Sequence, residues 1–217
     1  MVKRLRIVLF LHGFQDVSFS ADEKGGPLRV FLGTKGIIVI CVSYSGEERT
    51  QQGLRLATEG LVAELKKRGI TRIDVVVGHS MGGLVACHLA KSYRELGIRM
   101  VIMLESPVSG MPAWMLRIWV FVWQRRASYD WDSIQDMKPD SKFMTELFKD
   151  WPVHDIAVVQ IMGSLSCGRL GRFLKTPTWI HTYEFPDVAH DGPTGLRGHP
   201  EVLECIAERI ASVVDEV

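Results

Sequence analysis

The chain has few cysteines, no long apolar run and almost no net charge, and each shortage removes a class of protein. The four cysteines, at positions 41, 87, 167 and 205 of 217, show no Cys-x-x-Cys spacing, which argues against a disulfide framework or a close-spaced metal or redox motif. Two of them fall within apolar periodic segments, where a reduced thiol packs as a small hydrophobe, and all four are expected to be free thiols in a reducing compartment. No stretch approaches the ~20 apolar residues of a membrane span. The N-terminal MVKRLRIVLFLHGF imitates a secretory leader, but its apolar part is short, Arg6 interrupts it and no small-residue cleavage site follows, so a cytoplasmic location is the expectation. Lys and Arg number 26 against 25 Asp and Glu, a formal net charge of +1, which offers no electrostatic reason to bind nucleic acid. Internal repeats, low-complexity tracts and interdomain linkers are also missing, and residues 1–217 are expected to form a single domain.

What the chain does have is a rhythm. Runs rich in Val and Ile recur at residues 5–11, 36–44, 73–78, 99–104, 156–162 and 178–185, apolar without strict alternation, as strands covered on both faces read. Between several of them lie helical patterns, at 50–68, 82–96 and 200–214; the first places Leu54, Ala57, Leu61 and Leu65 on one face and ends in Lys66, Lys67, Arg68 and Gly69, which is last-turn and C-cap chemistry. Strand then helix, repeated, predicts an α/β protein with a doubly wound, mainly parallel sheet of about six strands and flanking helices. In such sheets ligands bind at the carboxyl ends of the strands. Residues 106–152 break the rhythm and read as a helical, lid-like insertion. Within it Ala113 to Trp123 carries only Arg117 as a polar residue, so a helix there is apolar nearly all round.

The run at Val75–Gly78 stops at GHSMGG, residues 78–83. This fits Gly-x-Ser-x-Gly between a predicted strand and a predicted helix, the context that lifts the motif above chance. A tight strand-to-helix turn needs Gly78 and Gly82 for close packing and pushes the Ser80 hydroxyl out at the start of the helix. There the N–H of Met81 and the positive end of the helix dipole suit a developing oxyanion. LHGF, residues 11–14, ends the first strand and turns the chain so that the Phe14 N–H is a second donor. Of seven histidines, His12 and His79 neighbour these segments and suit structural roles, His88 lies in the following helix, His154 precedes a strand at its wrong end, and His181 lies within a strand. His190, in FPDVAHDGPTGL between the last strand and the last helix, is positioned to serve as base, whereas His199 precedes Pro200, a first-turn proline, and suits a capping or surface role.

Taken together, LHGF, GHSMGG, LESPVSG (104–110), SIQDMKPDSKFMTEL (133–147) and VAHDG (188–192) resemble the α/β-hydrolase superfamily and, within it, small serine lipases and esterases. DMKPDSKFMTEL is similar to the segment that precedes the acid-bearing strand in minimal bacterial lipases and in relatives that deacylate glycolipid anchors. The resemblance implies hydrolysis of carboxylic esters through an acyl-enzyme on Ser80, with His190 as base and no cofactor or metal; thioesterase or acyltransferase activity at the same serine, or a non-catalytic binding protein of the same fold, are the alternatives. In that family an aspartate follows the strand corresponding to 156–162, but here the chain reads SLSCGRLG, and no carboxylate occurs between Asp155 and Glu184. Topology then ranks the acids. Glu105, closing the strand after the nucleophile, comes first and resembles the alternative position of pancreatic-type lipases. Asp187 and Asp191 beside His190 come next, Asp155 lies at the wrong end of its strand, and a dyad oriented by Ser166, a carbonyl or water is the remaining case. The substrate is expected to be a small-molecule or lipid ester. Trp114, Met115, Ile118, Trp119, Val122 and Trp123 would give the insertion an apolar face for an acyl chain or a lipid surface, or else pack as core; Trp114 and Trp119 are the candidate substrate contacts.

Overall fold

The Val- and Ile-rich runs become the strands of one sheet. A computed structural model describes residues 6–13, 21–44, 53–117, 131–153, 155–164, 176–190 and 195–214. Its strands are β1 (Arg6–Leu11), β2 (Ile37–Cys41), β3 (Val75–His79), β4 (Met100–Leu104), β5 (Ala157–Gly163) and β6 (His181–Phe185). They lie in the order β2-β1-β3-β4-β5-β6, and every neighbouring pair is parallel, as the absence of alternation predicts. The central strands β3 and β4 are buried at every residue. The edge strands β2 and β6 have exposed positions among covered ones, because only a central strand needs apolar side chains on both faces.

Helices cover both faces. α1 (Ala21–Thr34) and α6 (Pro200–Val214) lie on one side, and α2 (Gly53–Lys67), α3 (Met81–Ser92), α4 (Trp131–Asp136) and α5 (Lys142–Phe148) on the other. Each side has its own core. Val8, Phe10, Ile102 and Ile161 of the strands meet Leu28, Leu32, Ile206 and Ile210, while Leu9, Val76, Met103 and Val158 meet Leu61, Leu84, Phe143 and Leu147, the alternation of a strand setting which residue faces which layer.

α1 carries no clear helical pattern in the sequence, since Gly25, Gly26 and Pro27 sit inside it. Leu28 and Leu32 are buried to 1% and 0% exposure, so tertiary burial holds a helix that local propensity disfavours. The expected helix at 82–96 is interrupted: α3 ends at Ser92 and Arg94–Leu96 forms a separate 3-10 turn. The motif segment at 133–147 has a structural duty. The Asp136 carboxylate accepts the Leu54 N–H at 2.7 Å, at the N-terminus of α2, where a negative charge and a free acceptor are both favourable. The Ser141 hydroxyl accepts the Met144 N–H at 3.0 Å and caps α5. Cys41, Cys87 and Cys205 are buried; Cys167 lies outside the described residues. Among the described residues no helix is long and apolar enough to cross a membrane.

Candidate active site

The turn from β3 to α3 is built by close approach of three chain segments. A side chain on Gly78 would put its Cβ 2.6 Å from the Gly82 carbonyl carbon and the Gly83 Cα, and one on Gly82 would lie 2.6 Å from the Leu11 carbonyl oxygen. The two motif glycines therefore answer different neighbours: Gly78 makes room for the helix start, and Gly82 lets that start rest on the end of β1. Between them Ser80 has φ 53 and ψ −124, a conformation a non-glycine residue holds only when its surroundings enforce it. Its N–H donates to the Leu104 carbonyl at 2.8 Å and its carbonyl accepts from Gly83 at 3.0 Å. Met81 is the first residue of α3, and N–H groups of a first turn have no acceptor within their own helix.

The end of β1 reaches this turn. A Cβ on Gly13 would lie 3.2 Å from the Ser80 Cβ and 3.0 Å from the His79 Nδ1. Phe14, the expected second oxyanion donor, lies outside the described residues. His12 is held in place at this turn: its ring stacks on Tyr44 at 4.5 Å between centroids, its Nδ1 meets the Gly13 carbonyl at 2.8 Å, and the Tyr44 hydroxyl donates to its carbonyl.

His190 hangs on the loop after β6, tied down on both sides. The Asp187 N–H donates to the Ser164 hydroxyl at 2.9 Å, the Val188 carbonyl sits where a Cβ of Gly163 would be, and the Leu196 N–H donates to the Ala189 carbonyl at 2.9 Å. The imidazole Nδ1 lies 2.5 Å from Glu105 Oε2. That carboxylate is 4% exposed and sits one residue beyond β4, with φ 50. Two bonds brace its main chain: the Glu105 N–H donates to the Ile161 carbonyl at 2.8 Å, and the buried Gln160 amide donates to the Ser106 carbonyl at 2.8 Å. The structure thus pairs His190 with Glu105, and Ser80 follows β3, the strand next to β4, with its neighbour His79 against the His190 carbonyl.

The rival acids fare differently. Asp187 is exposed and left-handed, with φ 62, and its backbone shapes the loop. Asp155 is paired with Arg94 at the opposite edge of the sheet. Asp191 and Ser166 lie outside the described residues. His88 sits in α3 against Phe143, its pKa lowered to about 4 by burial first and then by Arg55 and Lys91. His199 accepts the Leu203 N–H through its carbonyl at the start of α6. In the insertion, residues 113–117 are helical; Met115 and Leu116 are core while Trp114 is 47% exposed, so the face divides between packing and solvent. Trp119 lies outside the described residues. The bracing by Gln160 and Ser164, and the placement of His79 beside His190, have no sequence signal beyond adjacency to the motifs.

No curated protein matches the chain by sequence. Among solved structures, a thermophilic esterase from Thermogutta terrifontis is 18% identical, with 96% of this chain and 90% of the other covered at a TM-score of 0.66. An esterase from Exiguobacterium antarcticum is 13% identical over 95% and 92%, with a TM-score of 0.68. A loop variant of a haloalkane dehalogenase from Bradyrhizobium elkanii is 14% identical over 97% and 90%, at 0.64. Similarity at this level speaks to the fold, and the different reactions of these neighbours show why the fold alone does not name a substrate. The sequence profile of the Alpha/beta hydrolase family matches residues 8–214, nearly the whole length, and the chain belongs to that family.

Proposed function

We propose that the protein is a serine hydrolase that cleaves carboxylic esters through an acyl-enzyme on Ser80. The observation that carries this reading is the 2.5 Å contact between His190 Nδ1 and the buried Glu105 carboxylate, made beside a serine held on a strained turn. With Nδ1–H donating to Glu105, the imidazole is fixed in the tautomer whose Nε2 can accept a proton from Ser80 Oγ, and the carboxylate stabilises the imidazolium that results. Ser80 then attacks the ester carbonyl. The oxyanion is stabilised by the N–H groups of Met81 and Phe14, the alcohol leaves with the proton from His190, and water repeats the sequence on the acyl-enzyme. Every step uses groups of the chain itself and water.

The insertion at 106–152 is assigned as the cap of this site. Its two limbs are joined where the Met111 N–H donates to the Met137 carbonyl at 2.7 Å. Trp114, exposed beside buried Met115, and Trp119 are assigned to the acyl portion of the substrate. The test is labelling with a fluorophosphonate probe together with turnover of matched ester and thioester substrates. Ser80→Ala is expected to abolish labelling and to lower ester turnover by at least about 10³-fold. Wild-type protein that folds and does not label would leave a binding protein of hydrolase fold, and faster turnover of thioesters would replace the esterase reading with a thioesterase one.

A further inference from the structure

The residue before the serine touches more of the site than its motif position requires. His79 is the last residue of β3 and is 3% exposed. Its Nε2 lies 2.9 Å from the carbonyl oxygen of His190, a geometry in which the ring N–H donates and the carbonyl accepts. Its ring lies 4.5 Å from the His190 ring between centroids, tilted by 37°. On its other side, Gly13 is close enough that a Cβ there would stand 3.0 Å from His79 Nδ1. One imidazole is therefore wedged between the segment that follows β1 and the loop that carries His190, while its own backbone leads directly into Ser80.

We propose that His79 is a positioning residue, which sets His190 against Glu105 and Ser80 by holding the His190 carbonyl. This rests on the reading of Ser80, His190 and Glu105 given above. Among the described residues, the other backbone ties on the loop act earlier in it, on Asp187 through Ser164 and on Ala189 through Leu196, and leave the main chain of His190 to turn about its own bonds. The bond from His79 removes that freedom, and it fixes His190 to the strand that delivers the nucleophile. A small rotation there would move His190 Nε2 relative to Ser80 Oγ without unfolding anything, and misplacement of a catalytic group by about 1 Å can lower turnover on the order of 100-fold.

The test compares His79→Phe, which keeps a ring and loses the donor, with His79→Gln, whose side-chain amide can donate from near the same place. The substrate is p-nitrophenyl butyrate. The phenylalanine variant is expected to lose about 10- to 100-fold in kcat with KM little changed, and to show a displaced pH profile of kcat/KM, which reports the base of the free enzyme. The glutamine variant is expected to recover most of the loss and the wild-type profile. Equal losses in both variants would assign His79 to packing, and wild-type turnover in the phenylalanine variant would remove it from the site. A second measurement needs no variant: long-range proton–nitrogen NMR of the imidazoles of the wild-type protein is expected to find His79 protonated at Nε2, and protonation at Nδ1 alone would overturn the proposal. Absence of fluorophosphonate labelling of the wild type would fell the serine hydrolase reading and this inference with it, whereas equal labelling rates in wild type and the phenylalanine variant would fell the inference alone.

Discussion

At the entry edge of the sheet, the left-handed turns before β2, β3 and β4 are made by Gly36, Gly69 and Gly97, with φ between 69 and 72 and open space where a side chain would be. At the exit edge, the left-handed positions after β3, β4 and β6 are filled by Ser80, Glu105 and Asp187, which are all the non-glycine residues of positive φ among the described ones. A turn that only reverses the chain uses the residue that adopts the conformation freely. A turn that must also present a side chain accepts strain, of order 1–3 kcal/mol per residue, and needs surroundings that enforce it. The electrostatics divide in the same way. Arg94 and Asp155, both exposed, pair beside an open groove of about 480 Å³ at the entry edge, where screening by solvent leaves such a pair with little energetic weight, and the buried Asp74 there accepts the Ile7 N–H at 2.9 Å. The exit edge pairs its buried carboxylate with an imidazole instead.

The largest expected effect falls on that pair. Glu105→Gln is expected to lower kcat by about 10³- to 10⁴-fold, by analogy with loss of the acid from a serine protease triad, while circular dichroism and the thermal midpoint remain those of a folded protein; near wild-type turnover would place the acid elsewhere. Ser80→Gly removes both the nucleophile and the strain. It is expected to be inactive and yet more stable than Ser80→Ala by about 1 kcal/mol in urea unfolding, and equal stability of the two would show that the turn is not strained. Gly97→Ala, at the entry edge, is expected to lose about 1 kcal/mol of stability and to keep full turnover, so a loss of activity there would break the contrast between the edges.

The last effect concerns a histidine at neither edge, and it touches stability alone. His88 in α3 has its pKa lowered to about 4 from 6.5 by burial, then by Arg55 and Lys91, with Glu146 opposing. The folded protein keeps this imidazole neutral while the unfolded chain begins to protonate near pH 6.5. Stability from this source is therefore complete above that pH, declines as the pH falls, and levels off below about 4. His88→Gln is expected to flatten the fall in thermal midpoint between pH 7 and pH 5, and an unchanged slope would assign the acid sensitivity to other groups.

The legible parts of this molecule are those whose signal is local. β3 and β4 announce themselves because a strand buried on both faces has no polar alternation to hide it, and the turn at Ser80 because its steric demands fall on residues two positions away. α1 was hidden: Gly25, Gly26 and Pro27 suppress every local helical cue, and Leu28 and Leu32 hold it in place by packing in the core that β1 and β2, its neighbours in the chain, share with the last helix. The Glu105 position could be ranked from strand order, since a carboxylate at a carboxyl strand end next to β3 is near the serine by topology. Its contact with His190 depends on the left-handed bend after β4, and no sequence pattern marks that bend in a residue other than glycine. The bond from His79 to the His190 carbonyl is still less visible, because it joins a side chain in a motif to a backbone atom in a loop, and backbone acceptors carry no sequence identity.

Ser80 and Glu105 belong to a single strand–helix–strand crossover, β3–α3–β4, while His190 arrives only after β5 and β6 have been added to the sheet. Contacts close along the chain form early, and distant ones wait on loop closure. On the proposed reading, the nucleophile and its acid come from one local unit of the chain, and hydrolytic competence depends on the long-range closure that brings in the base.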